Sequence, residues 1–200
     1  MEVSNAAEDA DVFTSNAWLV RGDGAALVDA GSYDGAVDHV EGRVDSLDVV
    51  ALTHQHGDHV GALDTVLDAF DPRLLSYDDH PRRTTAVEDG DEVELAGEEF
   101  TVVYTPGHAD DHVAYVGDTA AFTGDVVVYE DEAYSGGSFG RTDMAGQSRE
   151  TLIESLRRLL PYVEDVDVIY PGHGPSFEGD VHAVVDKALE RAERREPKYG

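Results

Sequence analysis

Thr53-His54-Gln55-His56-Gly57-Asp58-His59 directly follows the apolar run 49–52 (VVAL) and precedes Leu63, Val66, Leu67 and Phe70 at helical spacing. A short buried strand therefore runs into a polar turn and then a helix. In an extended segment residues two apart point the same way, so His54 and His56 face one point. Gly57 lets the chain bend, and Asp58 and His59 turn to a second point beside the first. Three imidazoles and a carboxylate at this density are the donor set of a divalent transition metal. A chance cluster of surface histidines capping the next helix is the bland alternative, and that density argues against it.

Three more segments share the same grammar, an apolar strand ending in a small residue and a ligand type. They are Thr105-Pro106-Gly107-His108, Phe122-Thr123-Gly124-Asp125 and Tyr170-Pro171-Gly172-His173-Gly174. A glycine beside each candidate ligand permits a sharp turn and close backbone approach. Each piece is weak by itself. Together, four strand ends deliver His54, His56, Asp58, His59, His108, Asp125 and His173 to one edge of a sheet.

The rest of the chain alternates strands and helices. Residues 16–20 and 25–29 read as a hairpin about the turn Arg21-Gly22-Asp23-Gly24. Ser32 stands where a helix N-cap belongs, and Ser148 opens a helix striped by Leu152, Ile153, Leu156, Leu159 and Leu160. Strands are expected at 99–104, 112–116, 120–123 and 166–170, with a closing helix through Val181, Val185, Ala188, Leu189 and Ala192. The Gly- and Ser-rich segment 129–147 has no period and reads as a long loop. With no obvious linker or repeat, residues 1–200 are expected to form one α/β domain.

Composition narrows the function. Fourteen basic against 43 acidic residues give a net charge of −29, which repels phosphate backbones and anionic membranes, so neither nucleic acid nor membrane is an expected partner. No apolar stretch is long enough to span a bilayer, and the first residues lack a signal-peptide pattern, so the expectation is a cytoplasmic protein. The absence of cysteine leaves histidine and carboxylate as the metal ligands. Carboxylates spread along the whole chain, with Lys187 and Lys198 the only lysines, point to a halophilic habitat, where salt screens the self-repulsion.

These motifs, with Ala26-Leu27-Val28-Asp29-Ala30-Gly31, resemble the metallo-β-lactamase fold superfamily over nearly the whole chain. The resemblance implies an αββα sandwich with a dinuclear site at one edge. It places His54, His56 and His108 in one metal site and Asp58, His59 and His173 in the other, bridged by Asp125. Within the superfamily, THQHGDHVGAL, TPGHADDH and YPGHGP look most like the glyoxalase II branch, the hydroxyacylglutathione hydrolases.

That resemblance implies a metal-dependent hydrolase of a small-molecule thioester or related ester, using two divalent ions, zinc first, with iron or manganese also compatible. Asp58 is the expected catalytic carboxylate, orienting the attacking hydroxide. Thr53 and Thr123 adjoin ligands and are expected to support them. Glyoxalase II carries a helical domain whose basic residues hold glutathione. Here 27 residues follow His173, so Arg141, Arg82 or Arg83 would have to supply an anion clamp. Arg141 and His112 are the candidate substrate residues, and Tyr134 and Phe139 candidate cleft aromatics. The segment Ser138-Phe139-Gly140-Arg141-Thr142-Asp143 is also similar to persulfide dioxygenases. This gives an alternative with one non-haem iron on His54, His108 and Asp125.

Overall fold

Alternation along the strands sorts the side chains of the computed structural model, which describes residues 1–197, into three apolar layers. The first sheet runs in the order β1 (Glu2–Asn5), β2 (Trp18–Gly22), β3 (Gly24–Val28), β4 (Val49–Ala51), β5 (Arg73–Ser76) and β6 (Thr85–Ala86). The second sheet orders β14 (Phe177–Glu178), β13 (Val168–Pro171), β10 (Ala120–Gly124), β9 (Val113–Val116), β8 (Glu98–Tyr104) and β7 (Glu92–Leu95). A small hairpin, β11 (Val128–Glu130) and β12 (Ser135–Ser138), pairs apart from both.

Between the sheets lie Trp18, Val20, Val28, Phe100, Val102, Tyr115 and Phe122. Their strand neighbours face outward. Leu19, Leu27 and Val50 pack with residues of α1 (Gly35–Glu41) and α3 (Leu63–Phe70). Val103, Ala114, Ala121 and Ile169 pack with residues of α4 (Arg149–Leu159) and α5 (Val181–Glu193). Period-two strands buried on both faces, each outer face covered by helices, make an αββα sandwich, the architecture that the family resemblance implies.

Local chemistry explains most boundaries. Ser148 caps α4, its Oγ accepting the Thr151 N–H. The first helix differs from expectation: it begins at Gly35, because the Ser32 hydroxyl donates to the Phe13 carbonyl and does not cap. The segment 129–147 is not wholly loop, since it overlaps β11 and contains β12. The helix α2 (Gly57–Val60) is one turn long and begins inside the histidine motif.

Candidate metal centre

Four strand ends converge at one edge. Leaving β4, the chain presents His54 and His56, and α2 carries Asp58 and His59. His108 follows β8, Asp125 follows β10 and His173 follows β13. Cross-ties fix these ends: the Val113 N–H donates to the Thr53 carbonyl at 2.8 Å, and the Gly172 N–H to the Gly124 carbonyl at 2.8 Å. Asn16 Nδ2 and Trp18 Nε1 each donate to the Pro171 carbonyl at 2.9 Å, anchoring the last loop to the first sheet. Gly172 is obligatory, because a Cβ there would collide with the Asp125 carboxylate.

The seven sequence-derived residues come together as two triads and a shared carboxylate. Donor atoms of His54, His56 and His108 lie within 4.8 Å of one another, as do those of Asp58, His59 and His173. Asp125 stands between: Oδ2 is 3.2 Å from His108 Nε2 and 3.6 Å from His173 Nε2, and Oδ1 is 3.5 Å from His59 Nε2. His59 Nε2, His108 Nε2 and Asp125 Oδ1 are buried without a hydrogen-bond partner. Buried polar atoms are normally paired, so three orphans facing one another suit a cation.

Outer partners set which nitrogen each ring presents. His59 Nδ1 donates to Asp29 Oδ2 at 2.8 Å and His108 Nδ1 to the Arg141 carbonyl at 2.9 Å, which leaves each Nε2 inward. Thr53 Oγ1 donates to Asp29 Oδ2 at 2.7 Å and so accepts from His54 Nδ1 at 3.1 Å. Asp29 also accepts the Thr53 N–H at 2.8 Å. It holds a left-handed backbone, φ 58°, which costs a non-glycine residue and is common at functional sites.

Burial and then neighbouring histidines hold His54 well below the ordinary imidazole range. His108 is likewise lowered, chiefly by burial. Burial opposes a charge on His59 too, but Asp29 and Asp125 outweigh it and raise its pKa to about 10. Burial also opposes ionisation of Asp125, yet His59, His173 and His108 hold that carboxyl well below its usual range. His54 and His108 are thus kept neutral, with a lone pair free to bind a cation, while the Asp29 and Asp125 carboxylates favour positive charge beside His59.

Several expected residues lie elsewhere. His112 is fully buried beneath the ligands, so it is not placed to touch substrate; its Nε2 accepts the Asp125 N–H and its Nδ1 donates to Thr105 Oγ1. Thr123 donates to the Val127 carbonyl and not to a ligand. Arg82 pairs with Asp68 and Arg83 with Asp79, both off the cavity. Phe139 is in the core beside α4, and Tyr134 donates to the Pro197 carbonyl. Arg141 does line the cavity over the triads, which measures about 730 Å³. The sequence reading missed Asp29 as a ligand partner, and Phe13 and Met144 as cavity walls.

An αββα sandwich with imidazole and carboxylate triads at one edge defines a class of metal-dependent enzymes. The profile of the metallo-β-lactamase superfamily matches residues 10–85 and 73–173, and the chain belongs to that superfamily. Curated relatives named hydroxyacylglutathione hydrolase include one from Vibrio parahaemolyticus, 32% identical over 157 residues, covering 76% of this chain and 58% of that protein. Another, from Photobacterium profundum, is 36% identical over 162 residues, covering 78% and 60%. The chain thus spans less than two thirds of those relatives' length.

Solved structures agree on the fold. ETHE1 from Myxococcus xanthus superposes with a TM-score of 0.76 at 22% identity, covering 99% of this chain and 92% of that one. TTHA1623, solved in a di-iron-bound form, gives 0.69 at 25% identity, covering 94% and 98%. Among the described residues no helix is long and apolar enough to cross a membrane.

Proposed function

We propose that this chain is a metal-dependent hydrolase of small-molecule thioesters. The observation that carries the reading is the complete pair of triads joined by Asp125, in a chain 32–36% identical to hydroxyacylglutathione hydrolases. One cation would be held by His54, His56 and His108, the other by Asp58, His59 and His173, with Asp125 shared. Zinc is the first choice, and imidazole with carboxylate also accepts iron or manganese. When bound, such ions supply Lewis acidity and a water acidic enough to be nucleophilic near neutral pH.

The chain's own groups do the rest. Asp58 is half-buried on the cavity wall, with Oδ2 3.1 Å from His173 Nε2. Burial opposes its charge, but His173 and His59 hold the carboxyl below its usual range. An ionised Asp58 accepts a proton of the attacking water and orients its lone pair toward the carbonyl carbon. Asp29 and Thr53 hold His59 and His54 in the tautomers that turn Nε2 inward. A thiol leaving group departs as thiolate with little need of protonation, so no dedicated acid is required.

A second reading, a persulfide dioxygenase using one iron, is favoured by one contact: Asp125 Oδ2 lies 3.2 Å from His108 Nε2, with the His54 ring 5.0 Å from that of His108. Two histidines and a carboxylate are the facial set of non-haem iron oxygenases. Thioester hydrolysis and oxygen uptake, assayed side by side on metal-analysed protein, separate the two. Hydrolysis with two ions per chain supports the hydrolase; oxygen uptake with one iron and no hydrolysis overturns it.

A further inference from the structure

The cavity over the triads is lined by side chains of opposite character. Phe13 is 80% exposed and Met144 56% exposed, and both line the cavity. Phe13 is held there by its backbone. Ser32 Oγ donates to its carbonyl at 2.9 Å, and the Ser32 N–H donates to Thr14 Oγ1 at 2.7 Å. The Ser15 N–H donates to the Asp58 carbonyl at 3.1 Å. The ring stacks on His173 with centroids 5.5 Å apart and planes 19° from parallel. A pinned loop thus keeps an aromatic ring largely in water at the lip, where an apolar ligand group would cover it.

Glu130, Asp131 and Glu132 line the cavity as well. Asp131 turns its carboxylate onto the Ala133 and Tyr134 N–H groups and Ser138. Arg141 is the one arginine or lysine on the cavity wall among the described residues, and it donates twice to Asp143, at 2.9 and 3.0 Å. At the floor His108 Nε2 and Asp125 Oδ1 are buried and unpartnered. The reacting carbonyl meets this floor in every thioester, so the walls are what discriminate. An anionic carrier meets Glu130 and Glu132 there and one already paired guanidinium. A cationic carrier meets complementary charge.

We propose that the site takes thioesters of an apolar acyl group on a cationic thiol carrier, accepts neutral carriers less well, and disfavours anionic carriers. This rests on the thioesterase reading above. The apolar acyl group packs against Phe13 and Met144, and the carrier's cation lies against Glu130 and Glu132.

The test uses the metal-loaded protein at salt concentrations where circular dichroism shows it folded. Phenylacetyl and acetyl thioesters of thiocholine, N-acetylcysteamine and 3-mercaptopropionate vary the acyl group and the carrier charge separately. The expected kcat/KM order is thiocholine, then N-acetylcysteamine, then 3-mercaptopropionate, spanning about tenfold or more and narrowing as salt rises. Glu130→Gln with Glu132→Gln compresses that span. Phe13→Ser lowers the preference for phenylacetyl over acetyl about tenfold while metal content stays at the wild-type value. Turnover in equal or reversed carrier order, or an unchanged acyl preference in Phe13→Ser, overturns this proposal alone. No turnover of any thioester overturns the hydrolase reading and the proposal with it.

Discussion

The Nε2 of His112 accepts the backbone N–H of Asp125 at 2.9 Å, so a fully buried imidazole fixes the residue on which both triads converge. Thr105 Oγ1 takes the other ring nitrogen at 2.8 Å, which makes the ring a neutral Nδ1–H tautomer. Gly124 makes room for it: a Cβ there would lie 2.6 Å from His112 Nε2. Removing the ring as His112→Ala leaves the Asp125 N–H unpaired and a void beneath the site, costing roughly 2–4 kcal/mol of stability. Metal affinity should fall about 10–100-fold, as for other groups that orient ligands. Urea unfolding and chelator competition read the two effects separately, and wild-type metal affinity in the variant would refute the positioning role.

Asp29 makes a sharper case, because asparagine suits its left-handed backbone and keeps its shape. In Asp29→Asn an amide can face His59 Nδ1, favouring the tautomer that turns Nε2–H toward the centre. The second triad should lose its ion first, so the expected stoichiometry drops from two per chain toward one, with the His54, His56 and His108 triad still loaded. Elemental analysis after dialysis measures this, and two retained ions would contradict it.

The centre was legible before the structure because its signals are local. A strand end, a glycine and a ligand type sit within four or five residues of one another at each of four places. What was not legible depends on pairing across the chain. Parallel pairing of β3 with β4 brings Asp29 to Thr53 and His59, whereas in sequence the 26–31 motif gives no sign of which side chains Asp29 will meet. Phe13 reaches His173 only because Asn16 ties the two loops, its N–H donating to the Gly172 carbonyl. His112 opens a strand, and a polar residue there carries no sign in sequence of whether it supports a ligand or lines the cavity. The β11–β12 hairpin was hidden by Gly136 and Gly137, which erase the period-two pattern.

Removing metal should destabilise the fold measurably. Three buried unpaired atoms and two buried carboxylates, Asp29 and Asp125, surround the centre. An ion present at a thousand times its Kd adds about 4 kcal/mol per site, or roughly 10 °C in Tm for a chain of this size. Chelated protein should melt lower by that order, and added zinc should restore the original midpoint. Equal melting of chelated and loaded protein would deny the link between metal and folding.

Salt supplies an independent expectation. With a net charge of −29, dilution lengthens the screening distance from roughly 3 Å at 1 M to roughly 30 Å at 0.01 M and lets the acidic surface repel itself. Circular dichroism and activity should both rise toward molar KCl, with excess zinc recovering part of the loss at low salt. Full structure and activity in dilute buffer would refute the salt-adapted reading and leave the metal centre untouched.

The most direct test of the whole account combines metal counting with turnover for the wild type and Asp125→Ala. Two divalent ions per chain and thioester hydrolysis in the wild type are expected, with Asp125→Ala losing metal and falling at least a hundredfold in kcat/KM. One iron per chain with oxygen consumed on a persulfide and no thioester cleaved would contradict it, as would an Asp125→Ala variant that hydrolyses thioesters at the wild-type rate.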